Sequence, residues 1–197
     1  MRAGLDMKAG LGMKAGQGMK AGTRGGPDPQ GGPDAQGGPA APATPAGPAA
    51  PGAPFAPSRE PVLDSPAPWV AEHIRRFEET GGVPRPGVDD LLLTTRGRTS
   101  GVLRRTALAY VRDGGAYVLT ASNGGSDRHP AWYLNLLADP RAVLQVGRST
   151  FPATARPATA AEAARLWPRV VASMPSYAAY RTATTREIPL LLLTPSS

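Results

Sequence analysis

The stretch LLLTTRGRTSGVLRRTALAYVRDGGAYVLTASNGGSDRHPAWYLNL, residues Leu91–Leu136, decides the fold of this chain. It begins with the apolar run Leu91–Thr95, which has the length and residue types of a buried strand. A polar turn with two glycines follows, and a second extended segment, Val102–Arg112, leads to the hairpin signal Asp113-Gly114-Gly115. The returning strand is Ala116–Ala121. The pattern therefore predicts antiparallel strands that are joined by short turns.

Short strands and a few helices continue to the C-terminus. Three more strands are predicted, at Ala142–Val146, Phe151–Ala155 and Ile188–Leu193. Helices are predicted from a cap at Ser65-Pro66 to Gly81-Gly82, and at Pro130–Leu137, Ala160–Ala172 and Ser176–Thr182. Hairpin-linked short strands favour a small barrel over an alternating parallel sheet. The predicted fold class is therefore mainly β with α, a barrel with flanking helices.

Residues 1–60 differ in composition from the rest of the chain. They hold more than half of its 24 glycines, few bulky apolar side chains and a repeated Met-Lys-Ala-Gly motif. Such a segment cannot bury enough apolar surface to offset the entropy cost of ordering it. We therefore predict a disordered tail over residues 1–60 and a folded domain over residues 61–197.

Charge and composition exclude several classes of site. The net charge of +7 favours acidic ligands, anionic membrane surfaces or nucleic acid as partners. The chain has no cysteine and only two histidines, so no metal centre is predicted. His73 is interpreted as a helix-surface residue, and neither it nor His129 has an evident serine and acid partner for hydrolysis. Asp89 is interpreted as a solvated residue at a strand start, next to Asp90.

Two glycine-containing loops, each after a strand, are the candidate binding elements. The first spans residues 96–101, and the second, residues 122–130, runs into the start of a helix. Glycine lets backbone N–H groups approach an anion, arginine supplies a bidentate fork, and a helix start favours negative charge. These features indicate a site for an anionic cofactor. Two ordinary solvated turns remain the alternative, because neither loop matches a known phosphate motif.

The ordered motifs in this stretch resemble the deazaflavin-dependent nitroreductase family. They are Thr-Thr-x-Gly-Arg-x-Ser-Gly from Thr94, then Asp113-Gly114, Ala-Ser-x-Gly-Gly from Ala121, and Trp-Tyr-x-Asn-Leu from Trp132. The resemblance runs from about Leu91 to the C-terminus. It implies a split β-barrel related to flavin-binding barrels, and an oxidoreductase that uses the deazaflavin coenzyme F420.

The resemblance also implies which positions contact the coenzyme. Arg98 and Arg104 match residues that contact its phosphate and glutamate tail. The implied coenzyme-binding set is Arg98, Thr99, Arg104, Thr106, Ala107, Ser122, Asn123, Ala131, Trp132 and Asn135. A core tryptophan and a helix-surface asparagine are the alternative interpretations of Trp132 and Asn135.

Three positions depart from the family pattern. Relatives often carry lysine where this chain has Thr99 and Asn123, and Thr106-Ala107 replaces a frequent Asn-Pro. Two cations that would contact the acidic tail are therefore missing. We predict weaker coenzyme binding, unless Arg96 or Arg128 substitutes for the lysines.

A late segment with two tyrosines is the predicted acceptor side of the site. Tyr177 and Tyr180 are three residues apart and share one helix face. In the family, tyrosines here and a serine that matches Ser122 line the substrate pocket, so catalytic roles are assigned to Tyr177, Tyr180 and Ser122. A tyrosine hydroxyl could orient the acceptor or donate a proton as hydride arrives. Plain packing of both tyrosines is the alternative.

The predicted function is hydride transfer from reduced F420 to a small electron-poor acceptor, either a quinone, an enone or a nitro compound. Two alternatives remain open, a related barrel that binds FMN and a non-catalytic barrel that binds anions or nucleic acid. The few aromatic side chains are not interleaved with arginines, so no specific nucleic acid is expected as a partner. A cytoplasmic monomer or homodimer is expected, with weak peripheral association at the inner membrane face as an open alternative.

Overall fold

The computed structural model describes residues 60–196, so the tail predicted over residues 1–60 lies outside it except for Glu60. The strands are β1 (Val62–Asp64), β2 (Asp90–Arg96), β3 (Leu103–Asp113), β4 (Ala116–Thr120), β5 (Arg141–Val146), β6 (Ser149–Pro157) and β7 (Leu190–Pro195). The helices are α1 (Pro68–Glu79), α2 (Ala131–Ala138), α3 (Ala160–Ser173) and α4 (Ser176–Ala183).

Six antiparallel strands close into a barrel. Their order is β3-β2-β5-β6-β7-β4, and β4 pairs back with β3. β3 closes the barrel because its two halves have different partners. Its first half pairs with β2 as far as Ala109, opposite Asp90, and its second half pairs with β4 from Tyr110, opposite Leu119. The barrel with flanking helices that the sequence predicts is confirmed.

The apolar side chains of β2 supply both faces of the barrel wall. Leu91 and Leu93 belong to the cluster that fills the barrel interior. Leu92 lies on the outer face, where it packs with Ala107 and Phe77 under α1. This alternation follows from the period of two along a strand. Burying each such leucine contributes about 2 kcal/mol, so β2 ties α1 to the interior of the barrel.

A short strand precedes the first predicted helix. Val62–Asp64 pairs with β3 in parallel, and no strand is predicted there from the sequence pattern. The backbone N–H of Ser65 then donates to the Arg105 carbonyl at 2.9 Å, which keeps the chain extended at this point. Helix α1 therefore begins at Pro68, and the predicted start at Ser65-Pro66 is wrong by two residues. Proline suits the first helical position because its missing N–H would have no partner there.

His73 is buried, and its interpretation as a helix-surface residue is wrong. It lies on the face of α1 that packs on the barrel, and its Nε2 is 3.2 Å from Oδ2 of the buried Asp90. Arg85 donates two side-chain hydrogen bonds to the same carboxylate, each 2.9 Å long. Burial opposes the charge of Asp90, but His73 and Arg85 outweigh it and hold the pKa of Asp90 below its ordinary value. Asp89 is exposed, as predicted.

Candidate active site

The turn between β2 and β3 carries Arg98, and Arg104 of β3 lies against it. Gly97 is buried in this turn, and the exposed Arg98 follows it. Nε of Arg104 lies 3.4 Å from the point that a Cβ on Gly97 would occupy, and Oγ of Ser100 lies 2.7 Å from it. A side chain at position 97 would therefore collide with the turn, and glycine lets Arg104 lie against it.

The ion pairs of the described residues leave several exposed arginines without a carboxylate partner, and three of these lie in or next to the two loops. Arg96 binds Glu60 at 2.9 Å, and this hydrogen bond raises the pKa of Arg96, so Arg96 is already engaged. Across residues 60–196, by contrast, no carboxylate pairs with Arg98, Arg104 or Arg128. Their guanidinium groups are therefore available to an anionic ligand. Of the two substitutes named for the missing lysines, Arg128 remains available.

Asn135 of α2 fixes the first turn from the neighbouring helix. Its Oδ1 accepts a hydrogen bond from the Arg98 backbone N–H, and its Nδ2 donates to Oγ1 of Thr95, both at 3.1 Å. Asn135 is buried, so its interpretation as a helix-surface asparagine is wrong. Its contact with the coenzyme stays a prediction. The structure gives it the role of a bridge between α2 and the turn that carries Arg98.

The loop between β4 and α2 has a left-handed backbone at three consecutive residues. The φ angle is 48° at Asn123, 61° at Gly124 and 79° at Gly125. Asparagine tolerates this region better than most residues with a Cβ. Nδ2 of Asn123 also donates to the Arg128 carbonyl at 3.0 Å, which closes the loop on itself. Tight loops of this kind can present successive backbone N–H groups to an anion.

Ser122 supplies an unsatisfied polar atom in the same loop. Its side chain is fully buried, and its Oγ has no hydrogen-bond partner among the described residues. A buried hydroxyl without a partner costs about 1–3 kcal/mol, so such atoms are uncommon in folded proteins. The Oγ of Ser122 is therefore an enclosed, unsatisfied polar atom, and its contact with the coenzyme or the acceptor stays a prediction.

Arg186 holds this loop, although nothing in the sequence marks it as a site residue. It lies between α4 and β7, and its guanidinium donates to the carbonyls of Ala121, Ser122 and Ser126 at 3.1, 2.6 and 2.7 Å. Burial lowers the pKa of Arg186 from its ordinary value. An isolated arginine in an irregular segment has no local sequence signal, because the residues it binds are distant in the chain.

Several predicted coenzyme contacts lie away from the two loops or inside the core. Trp132 is 8% exposed and packs in the barrel interior, which agrees with the interpretation as a core tryptophan. Ala107 is fully buried under α1, so its side chain is not available to a ligand. Thr99 is exposed on the first turn, and Thr106 and Ala131 are half-buried. Their contacts with the coenzyme stay predictions.

Helix α4 places its two tyrosines in different surroundings. Tyr177 is 3% exposed and lines a narrow cleft with Thr120, between the barrel and the helices. Tyr180 is half-buried, and its ring meets Tyr177 edge-on with the ring centroids 6.2 Å apart. A Cβ on Gly125 would lie 3.1 Å from the Tyr180 Cα, so α4 packs directly on the second loop. Tyr180 is therefore the tyrosine that lies beside this loop.

The fold is that of the split-barrel oxidoreductases. Residues 69–195 match the model of the F420H(2)-dependent quinone reductase family, and the chain belongs to this family. Membership confirms the enzyme class and the cofactor that the sequence predicts, an F420H2-dependent reductase with coenzyme F420. The residues present fit this cofactor, because the exposed guanidinium groups of Arg98, Arg104 and Arg128 suit its acidic tail.

Relatives and solved structures agree with this assignment. An F420H(2)-dependent quinone reductase of Mycobacterium tuberculosis is 42% identical over 107 residues, which are 53% of this chain and 72% of that protein. A solved F420-H2 dependent reductase is 38% identical with a TM-score of 0.50, covering 53% of this chain and 93% of that one. A solved domain-swapped dimer is 37% identical with a TM-score of 0.52, covering 66% and 99%.

The described residues contain neither a cluster of metal ligands nor a membrane-spanning helix. Among residues 60–196, no three His, Asp or Glu side chains come together in a way that could hold a metal ion. The helices described there are too short or too polar to span a membrane.

Proposed function

We propose that this reductase passes hydride from reduced F420 to a small, flat, electron-poor acceptor. A quinone is the preferred acceptor class, with enones and nitro compounds as further candidates. One observation carries the proposal: Arg98 lies on the glycine turn, the Nε of Arg104 on β3 lies against the same turn, and no carboxylate in residues 60–196 pairs with either arginine. Two free guanidinium groups at one turn suit an acidic cofactor tail.

The first turn and the second loop both contribute arginines to coenzyme binding. Arg98 and Arg104 hold the acidic tail of the coenzyme, and Arg128 replaces one of the lysines that relatives often carry. Asn135 keeps the Arg98 backbone in place through its 3.1 Å hydrogen bond. Because one lysine contact remains unreplaced, we expect weakened coenzyme binding, and a submicromolar affinity would argue against this expectation.

The acceptor lies on the side of α4. Reduced F420, when bound, supplies the hydride. Reduction of a quinone to a hydroquinone also needs a proton, and the Tyr180 hydroxyl is the side-chain group that we assign to donate it or to orient the acceptor oxygen. Tyr177 is buried and holds the Tyr180 ring by its edge-on contact. Ser122 Oγ binds a polar atom of the coenzyme ring or of the acceptor.

The test is an anaerobic assay of reduced F420 oxidation with a quinone, an enone and a nitroaromatic compound. We expect turnover with the quinone, and a raised KM for the coenzyme in Arg98→Ala and Arg104→Ala. Arg156→Ala is the control, because Arg156 is an exposed arginine that pairs with Glu162 away from both loops. Turnover with reduced FMN in place of F420 would favour the FMN-binding alternative. Unchanged kinetics in both arginine variants would reject the assigned tail site.

Assembly and location complete the proposal. We propose a monomer or homodimer in the cytoplasm, and size-exclusion chromatography of the full chain distinguishes the two assemblies. Weak association with an anionic membrane through the tail is tested by sedimentation with vesicles that contain acidic lipid.

A further inference from the structure

Every N–H group of the Arg186 side chain has an acceptor. A guanidinium carries five N–H donors. They meet the carbonyls of Ala121, Ser122, Ser126 and Glu187 and the Nδ1 atom of His129, at distances from 2.6 to 3.2 Å. None of these partners is a carboxylate, which separates Arg186 from the ion-paired arginines of the described chain. Four of its five bonds go to the segment 121–129 and the fifth to the neighbouring Glu187 carbonyl, and no carboxylate pairs with it.

These bonds also set the direction of the loop amides. In a planar trans peptide the C=O and the following N–H point in opposite directions. Three carbonyls of the loop, those of Ala121, Ser122 and Ser126, point at the guanidinium. The N–H group that follows each of these carbonyls therefore points away from Arg186. Arg186 therefore orients the backbone N–H groups of the loop toward the side opposite its own guanidinium.

The contact with His129 requires a neutral imidazole. Arginine can only donate, so Nδ1 of His129 must accept, and the two nitrogens are 3.2 Å apart. The ring of Tyr133 on α2 lies next to the imidazole, with the ring centroids 4.8 Å apart. Burial and the charge of Arg186 both lower the pKa of His129 from its ordinary value of 6.5. Two carboxylates also affect the neighbours of His129 through their charge. Asp127 acts to raise the pKa of Arg186, and Glu187 acts to raise the pKa of Tyr133.

We propose that Arg186 is a positioning residue for the coenzyme-binding loop, and that His129 makes its hold on the loop dependent on pH. While His129 is neutral, Nδ1 accepts from Arg186 and the loop is closed. When the imidazole gains a proton, Nδ1 carries a hydrogen toward the guanidinium, and the two cations repel each other. The identity of the ligand rests on the proposed function, whereas the hold on the loop exists without any ligand.

The sign of the pH effect follows from the direction of the His129 pKa. A lowered folded pKa means that the unfolded or open state binds the proton more tightly. The closed loop is therefore fully favoured above about pH 6.5 and is lost as the pH falls through the lower pKa of the folded state. Coenzyme affinity should fall over the same range if the loop binds the coenzyme.

The test measures hydrogen exchange of the peptide that spans residues 120–130, in the full chain without coenzyme, near pH 7.5 and near pH 5. Rates are corrected for the intrinsic effect of pH. The variants are Arg186→Lys, which cannot make five fixed bonds, and His129→Asn, which keeps an acceptor oxygen but does not titrate. Arg156→Lys is the control. Melting temperatures establish whether each variant is folded. If Arg186→Lys does not fold, His129→Asn alone still tests the proposal.

The proposal predicts that protection of the wild-type loop falls about tenfold at the lower pH, a change that corresponds to about 1.4 kcal/mol. In His129→Asn the protection should not change with pH, and in Arg186→Lys it should be low at both values. A pH response that persists in His129→Asn, or full protection in Arg186→Lys, would overturn the proposal. If the wild-type loop responds as expected but F420 does not bind, the proposed function fails and the inference about the loop stands.

Discussion

His73 and Asp90 form a buried pair that joins α1 to the start of β2. Nε2 of His73 lies 3.2 Å from Oδ2 of Asp90, and the Asp90 side chain is fully enclosed. Arg85 closes the cluster with two further hydrogen bonds to the carboxylate and one from its own backbone N–H at 3.1 Å. The helix, the loop after it and the barrel wall therefore share one charged group.

Replacing this carboxylate should destabilise the protein. Asp90→Asn leaves Arg85 without its buried counter-charge, and we expect a loss of about 3 kcal/mol at neutral pH. Because the folded pKa of Asp90 is lowered, its contribution is present above its ordinary pKa of 3.8 and disappears as the pH falls through the folded value. Urea unfolding of both proteins over this pH range measures the difference.

Asp113→Asn is the matched control for this prediction. Asp113 pairs with Arg165 at the protein surface, at 2.7 Å, so its replacement should have little effect. Equal losses in the two variants, or a difference for Asp90→Asn that stays constant down to pH 3, would contradict the role given to the buried pair.

Gly82 cannot accept a side chain. Its φ is 83°, and a Cβ would lie 2.1 Å from the carbonyl oxygen of Gly147. Gly82→Ala must therefore move the backbone after α1, and we expect a loss of about 3 kcal/mol or more. Gly87 has a similar φ of 77° with no atom within 4 Å of its Cβ position, so Gly87→Ala should cost only about 1–2 kcal/mol. Thermal unfolding of both variants checks this, and equal shifts would show that the contact is not important.

Asn135→Ala should loosen the turn that carries Arg98. The change removes two hydrogen bonds from a buried site, and we expect about 1–2 kcal/mol of lost stability together with weaker coenzyme binding. Thr95→Val removes only the bond to Thr95 and leaves the bond to the Arg98 backbone, so it should affect stability more than coenzyme affinity. Isothermal titration of both variants distinguishes them. Equal losses of affinity would argue against the bridge.

Gly125→Ala should push α4 away from the second loop. A Cβ at this position would meet the Tyr180 Cα at 3.1 Å and the Ala183 Cβ at 3.0 Å, and its φ of 79° adds strain. We expect lower kcat with the acceptor and weaker coenzyme binding. Gly114→Ala is the control, because Gly114 also has a positive φ but no neighbour near its Cβ position. Steady-state kinetics measures both variants, and the kcat and the coenzyme KM of Gly114→Ala should be close to those of the wild type.

The sequence predicts the parts of this structure that depend on local pattern. The barrel strands follow from apolar runs and hairpin turns, and the error at Ser65-Pro66 is two residues. β1 was missed because three residues, Val62–Asp64, carry no periodicity and become a strand only by pairing with β3. The burial of His73 could not be predicted because its partner Asp90 lies in another element. A single histidine on a helix does not show which face of the helix is buried.

The candidate site shows the same division. The glycines and arginines of both loops are visible in the sequence, and the resemblance gives the class of cofactor. Arg186 could not be selected, because its role depends on carbonyl groups of a loop that is distant in the chain. Asn135 was selected for a ligand contact, but both of its polar groups bind the protein. Side-chain roles that depend on backbone partners are therefore the part that sequence cannot supply.

The most direct test of the central claim is a binding titration of the full chain with oxidised F420 and with FMN, followed by tryptophan fluorescence. The account predicts saturable quenching by F420 and not by FMN, with affinity about tenfold lower or more in the Arg98→Ala and Arg104→Ala double variant. The Arg156→Ala control should bind as the wild type does. Saturation by FMN alone, or F420 binding that is unchanged in the double variant, would contradict the account.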